Sequence, residues 1–177
     1  MWETISSPPF CRSWRPINGP LRRRHFAWTA QNGAFAPDLD NQAVARGKAI
    51  FEGQAKCSSC HSGSSFTDVN TVGLHPASAS VALDKSYINF SATKQWRTTP
   101  LKGIWMHPPY FHDGSGALNA KTGKCMDGSE IGSLAGAKDP VRQDLACVVN
   151  RYNASKELNP ALIDAQRVDL VEYLKSL

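Results

Sequence analysis

A mostly α-helical domain, a few helices joined by long irregular loops, is the fold class this sequence predicts, and three observations predict it. Residues 40–51, Asp-Asn-Gln-Ala-Val-Ala-Arg-Gly-Lys-Ala-Ile-Phe, are helix formers behind an N-cap residue at Asp40 or Asn41. Near the other end, Ile163, Leu170, Val171, Leu174 and Leu177 make an apolar stripe at helical spacing. The chain between them is punctuated by most of the 11 Pro and 13 Gly and holds no sustained alternation that would mark long strands. At 177 residues and 41% hydrophobic content, one domain with extensions is expected, residues 38–177, behind an arm at 1–37.

The arm is rich in Pro, Arg, Ser and Trp and has no period. It reads as a flexible tail, or as a tether in which Trp2, Trp14, Phe26 and Trp28 anchor the chain on a partner. Cys11 is a lone thiol within it. The arm also accounts for the charge. Five arginines (Arg12, Arg15, Arg22, Arg23, Arg24) against Glu3 give residues 1–24 a charge of +4 out of the net +5. The main body is therefore near neutral, and no nucleic-acid partner is expected for it.

In the first helix, Val44, Gly47 and Phe51 share a face. Glycine is costly inside a helix unless another backbone comes close there, and the expected partner is the closing helix. That closing helix is placed from Asn159 as N-cap with Pro160 at its first position.

Directly after the first helix comes Cys57-Ser-Ser-Cys60-His61. Two thiols three residues apart with an imidazole following are what covalent haem attachment requires: thioethers from Cys57 and Cys60, and His61 as the proximal ligand of the iron. A thioredoxin-like dithiol or half of a zinc site would use the same cysteine pair but needs no adjacent histidine, and Cys125 and Cys147 do not supply a second close pair. One covalent haem c is the expected cofactor. Residues 62–95 are small and polar and read as loops along one haem edge; His75 within them is a surface or propionate-neighbouring histidine, or an iron ligand.

Residues 97–115 form a second informative stretch. Pro100, Pro108 and Pro109 stiffen the backbone, and Trp105, Tyr110 and Phe111 offer apolar surface to the haem, so the stretch reads as a lid. His112 and Asp113 are candidate catalytic residues as a hydrogen-bonded pair, or they only tie the loop to its own backbone. In the lid, Met106 has the chemistry of a distal iron ligand, and also that of a packing methionine; Met126 is a weaker candidate.

Taken together, the Gly-and-aromatic helix before Cys-x-x-Cys-His and the closing helix ending Glu-Tyr-Leu-Lys-Ser-Leu resemble the crossed terminal helices of the cytochrome c fold over residues 40–177. The run Thr-Pro-Leu-Lys-Gly followed by Pro-Tyr-Phe-His-Asp-Gly-Ser resembles the corresponding loop of the bacterial di-haem cytochrome c peroxidase and methylamine-dehydrogenase-maturation superfamily, in its C-terminal haem domain. The resemblance implies that Tyr152 stands where such domains present their distal ligand, with a buried packing tyrosine as the alternative. The chain departs from the superfamily at about 116–147, where an inserted loop replaces a short helix. Cys125 and Cys147 in that insertion are expected to pair in an oxidising compartment, or to stay as free thiols.

The function these readings imply is electron transfer by a mono-haem c-type domain, to or from a redox partner or a larger complex that the arm tethers. The alternative is a peroxidase-like haem enzyme, which would need a second haem domain because only one Cys-x-x-Cys-His is present. No stretch approaches the ~18 apolar residues of a membrane span. Haem c maturation and the cysteine pair point to a periplasmic or otherwise extracytoplasmic location, while the start of the sequence shows no secretory signal.

Overall fold

A computed structural model describes residues 39–155 and 160–177 of the chain. The arm at 1–37, with Cys11 and its four aromatic anchors, and the expected N-cap Asn159 lie outside the described residues.

Among the described residues, three α-helices carry the architecture: α1 (Asn41–Glu52), α2 (Pro140–Ala154) and α3 (Asp164–Ser176). Two small antiparallel ribbons accompany them, β1 (Leu74–Pro76) with β2 (Gln95–Arg97), and β3 (Leu118–Asn119) with β4 (Lys124–Cys125). The rest consists of turns and short 3-10 segments, so the ordered elements are mostly helical, as expected.

α1 starts where the Asp40 carboxylate accepts hydrogen bonds from the backbone N–H groups of Gln42 (2.9 Å) and Ala43 (3.1 Å). Its buried face is Ala43, Gly47 and Phe51, with Val44 partly buried beside them. Gly47 meets α3 as expected: a Cβ at this position would lie 2.0 Å from the Asp169 carbonyl oxygen and 2.7 Å from the Tyr173 Cβ. Only a residue without a side chain lets the two helix backbones approach so closely. One turn on, the Phe51 ring packs edge-on against Tyr173, with centroids 5.2 Å apart, and on its other side against Phe66. At the crossing's rim, Arg46 makes two 2.7 Å bonds to the Asp169 carboxylate.

α2 corrects the expected inserted loop. The irregular segment ends at Asp139, whose carboxylate caps the Val141 N–H (3.0 Å) with Pro140 in the first turn, and residues 140–154 are helical. Its buried positions are Leu145, Ala146, Cys147, Val149 and Asn150, a mainly apolar face with one polar side chain. Cys147 is bonded to Cys125, so the expected disulfide is present and ties α2 to the β3–β4 ribbon. α2 and α3 are joined by Arg142, which binds both oxygens of the buried Glu172 carboxylate and reaches Asp139 at 3.1 Å.

The start of α3 also differs from expectation. Pro160 precedes the helix and Asp164 begins it, because Asn153 holds the intervening chain, accepting from the Leu162 N–H (2.7 Å) and donating to the Leu162 carbonyl (3.1 Å). Gln166 then accepts from the Ile163 N–H at 3.1 Å, satisfying one of the donors a helix start leaves open. The core lies between the three helices, with Leu145, Val171, Leu170 and Leu174 among its buried members and Cys57, Leu101 and Ile104 at its edge.

Candidate functional site

The Cys57–Ser59 3-10 turn follows α1 after a left-handed residue, Lys56 (φ 51°), which reverses the chain at the end of the helix. The His61 N–H closes the turn on the Cys57 carbonyl at 2.8 Å. Cys57 and Cys60 are both free thiols and both half-buried. Burial pushes the Cys57 thiol up to about 11, so it is a neutral S–H at physiological pH, with the neighbouring Cys60 adding to the shift.

His61 is oriented by its own loop. Its Nδ1 lies 3.2 Å from the Phe66 carbonyl, which can only accept, so Nδ1 carries the proton and Nε2 has the lone pair of the neutral ring. Burial lowers the imidazole pKa, opposed by the backbone carbonyls of Phe66 and Thr99 and by the Asp68 carboxylate. The turn therefore brings two free thiols and one imidazole together, the donor set that thioether formation and metal ligation use.

The lid divides its aromatic residues between two sides. Tyr110 turns into the helical core, 5% exposed, and its hydroxyl has no hydrogen-bond partner. Its phenol pKa is raised by that burial and by the carboxylates of Asp144 and Asp139. Next to it, Phe111 packs on Tyr152 with ring centroids 6.3 Å apart. Burial pushes the Tyr152 phenol up to about 12, and Cys57 and Cys60 lie near enough to raise it further, so Tyr152 stands on the side of the cysteine turn. Trp105 is half-buried in the short 3-10 turn Ile104–Met106, and Met106 beside it is 58% exposed. Met126 is 51% exposed.

His112 and Asp113 do not bind each other. His112 Nε2 donates to the Asp84 carbonyl (2.7 Å), and Asp113 Oδ2 accepts from the Asp84 N–H (2.7 Å), while its Oδ1 accepts from the Ser115 N–H and hydroxyl. The Ser115 hydroxyl accepts in turn from the Leu83 N–H at 3.1 Å. Both residues lace the lid to the 83–84 segment, and the His112 ring stacks on Trp96 at 4.4 Å. At its other end the lid is pinned by Gly103, whose N–H donates to the carbonyl of Leu177 at 2.9 Å.

One member of the site carries no motif. Asp68, 1% exposed, binds His75 (Nε2 to Oδ2, 2.8 Å), and its Oδ1 is buried without a hydrogen-bond partner. A ligand atom from each of Cys60, Asp68 and His75 lies within 4.8 Å of the other two. This donor set can also take a divalent cation, with Cys60 common to both uses. Asp68 sits in a polar run, Phe-Thr-Asp-Val-Asn, where nothing in the spacing marks it; only the fold brings it to Cys60.

Comparison with family models, with curated proteins and with solved structures finds no match for this chain. Among the described residues, no helix is long and apolar enough to cross a membrane.

Proposed function

We propose that residues 38–177 are a mono-haem c-type cytochrome domain with a cytochrome c-like fold, passing single electrons to or from a partner redox protein. The observation that carries this reading is the Cys57–His61 turn, with two free thiols on one turn and an imidazole whose Nδ1 is committed to the Phe66 carbonyl. These residues fit the group. Cys57 and Cys60 would each add an S–H across a porphyrin vinyl group, forming a C–S bond and placing the hydrogen on the other vinyl carbon, and His61 Nε2 would ligate the iron. Haem supplies a one-electron Fe(III)/Fe(II) couple when bound. The glycine-mediated crossing of α1 and α3 beside Phe51 and Tyr173 supports the cytochrome c-like fold, and the lid's Pro-Tyr-Phe-His-Asp-Gly-Ser sequence supports kinship with the di-haem peroxidase superfamily. The Cys125–Cys147 disulfide supports a periplasmic or otherwise extracytoplasmic setting.

Tyr152 is the distal candidate on this reading, because it stands on the side of Cys57 and Cys60, whereas Met106 is largely in solvent. The same observation favours a second reading, a peroxidase-like domain with a distal tyrosine working beside a second haem domain. His112 and Asp113 then shape the lid and are not acid–base groups, since both are spent on Asp84.

Expression of the full chain with c-type maturation machinery tests the proposal. One haem per chain should survive denaturation, and Cys57→Ser or Cys60→Ser should leave a single thioether, visible as a shifted reduced band in alkaline pyridine. A colourless protein that retains zinc would overturn the reading. A methionine-to-iron charge-transfer band would move the distal assignment to Met106, and a high-spin ferric protein that turns over peroxide would favour the enzyme.

A further inference from the structure

We propose that Cys60, Asp68 and His75 bind one zinc ion, or another divalent cation of the same class, while Cys60 is a free thiol. The site does not depend on the haem reading: it draws on two residues outside the attachment motif, and it is lost once Cys60 becomes a thioether. Zinc binding and haem attachment therefore exclude each other at one sulfur.

Three separate pieces of backbone deliver the ligands. Cys60 closes the turn after α1, where its N–H donates to the Cys57 carbonyl at 3.3 Å. Asp68 heads a second turn, in which the N–H groups of Thr71 and Val72 both donate to its carbonyl at 2.8 Å. His75 is the middle residue of β1, opposite Trp96 in β2. The Thr67 hydroxyl donates to the Thr98 carbonyl at 2.7 Å and so holds the Asp68 turn against the chain leaving β2. A ligand atom from each of the three lies within 4.8 Å of the other two, and His75 Nε2 stands 2.8 Å from Asp68 Oδ2. Around a tetrahedral zinc ion, ligand atoms at the usual bond lengths stand about 3.3 to 3.6 Å apart. Side-chain shifts of about 1 Å bring this set onto one ion.

Asp68 points to a cation independently of this spacing. The residue is 1% exposed, yet its Oδ1 has no hydrogen-bond partner. A buried carboxylate oxygen left without a donor is costly, and a cation supplies what it lacks. One thiolate, one imidazole and one carboxylate make a borderline-soft set, suited to zinc and unlike the all-oxygen shell that calcium or magnesium takes. The Cys60 thiol gives up its proton to solvent as the S–Zn bond forms. Three protein ligands leave the fourth tetrahedral position to water, which makes this an open site and not a closed structural one.

The test uses the full chain expressed without haem-attachment machinery, in a Cys11→Ser background, with two free thiols confirmed by titration. Zinc is measured by competition with a chromophoric chelator, and cobalt(II) by its thiolate charge-transfer band. One zinc per chain is expected. Cys60→Ser, Asp68→Asn and His75→Gln should each weaken binding by at least about tenfold, and Cys60→Ser should abolish the cobalt band, while Cys57→Ser retains both the affinity and the band. Three results overturn the proposal: no stoichiometric zinc, equal losses in Cys57→Ser and Cys60→Ser, which would place the ion on the dithiol, or a smaller loss in Asp68→Asn or His75→Gln. Should Asp68→Asn lose its helix signal and fail to fold, the two cysteine variants and His75→Gln decide by the same criteria. Zinc on this unloaded chain leaves the haem reading standing, and haem on a loaded chain does not rescue a zinc site the unloaded chain lacks, so the two fail separately.

Discussion

Tyr152 concentrates the functional question in one side chain. Its ring packs on Phe111, and its phenol is pushed up to about 12 by burial, with both cysteines of the turn near enough to raise it further. A phenol in that setting stays neutral unless a metal cation takes its oxygen, since an unpaired phenolate would be strongly disfavoured there. On the haem reading, Tyr152→Phe should therefore open the sixth position: the ferric spectrum gains high-spin character, and cyanide affinity rises by at least about tenfold, the equivalent of about 1.4 kcal/mol of lost competition. Met106→Leu is the control. Its side chain is 58% exposed, and the substitution should leave spectrum and affinity as they were. An unchanged Tyr152→Phe spectrum beside an altered Met106→Leu spectrum would reverse the assignment.

At the scale of elements, Gly47 is the position where sequence and packing say the same thing. A methyl group there would need the 2.0 Å gap to the Asp169 carbonyl to open, which means separating α1 from α3 and loosening the Phe51–Tyr173 contact. Gly47→Ala should cost about 3 kcal/mol by overpacking, measured by denaturant unfolding. Ala49→Gly, on the exposed side of α1, is the reference substitution and should cost only the ~1 kcal/mol of helix propensity. The crossing was legible because an interior glycine has a known cost that a close approach must offset. α2 was not. Its apolar positions Val141, Leu145, Val148 and Val149 do recur at helical spacing, but Ala146, Cys147 and Asn150 share the buried face with them and the expected insertion ran through the first half of the helix, with Asp139-Pro140 the local sign of its start. The true start of α3 depends on Asn153 gripping Leu162, a contact between segments that spacing cannot report. Asp68 was hidden for the same reason: its importance comes from burial beside Cys60, and burial is a property of the fold. The Cys125–Cys147 bond closes a loop of sequence separation 22 and joins the ribbon to α2. Replacing both cysteines with serine should lower stability by about 3 kcal/mol on the loop-entropy argument, most visibly as faster hydrogen exchange in residues 118–150.

Across the whole molecule, carboxylates act as fasteners between segments that share little apolar surface. Asp40 caps α1, Asp113 holds the lid to Asp84, Asp127 holds Arg151 of α2 at 3.2 Å, and Asp164 accepts from the Ser133 N–H at 3.2 Å. The pKa of each is lowered in the folded chain: backbone donors dominate at Asp40, the Ser133 contact at Asp164, while at Asp113 and Asp127 burial opposes the shift and hydrogen bonds outweigh it. The sign of the linkage follows. Between the lowered folded value and the ordinary unfolded value of about 3.9, the unfolded chain binds more protons, so stability rises with pH through that interval and is fully present above it. Asp144 runs the other way, its pKa raised by burial, and tempers the effect without reversing it. The thermal midpoint should therefore decline gently as pH falls below about 6.5, where the unfolded chain protonates His61 more readily than the folded one, and fall steeply below about pH 4. Asp113→Asn should shrink that fall and release the lid first, so that tryptophan fluorescence from Trp96, stacked on His112, changes before the far-ultraviolet helix signal does. A single coincident transition for both signals in that variant would show that the lid is not an independent fastening and that the core alone sets the acid limit.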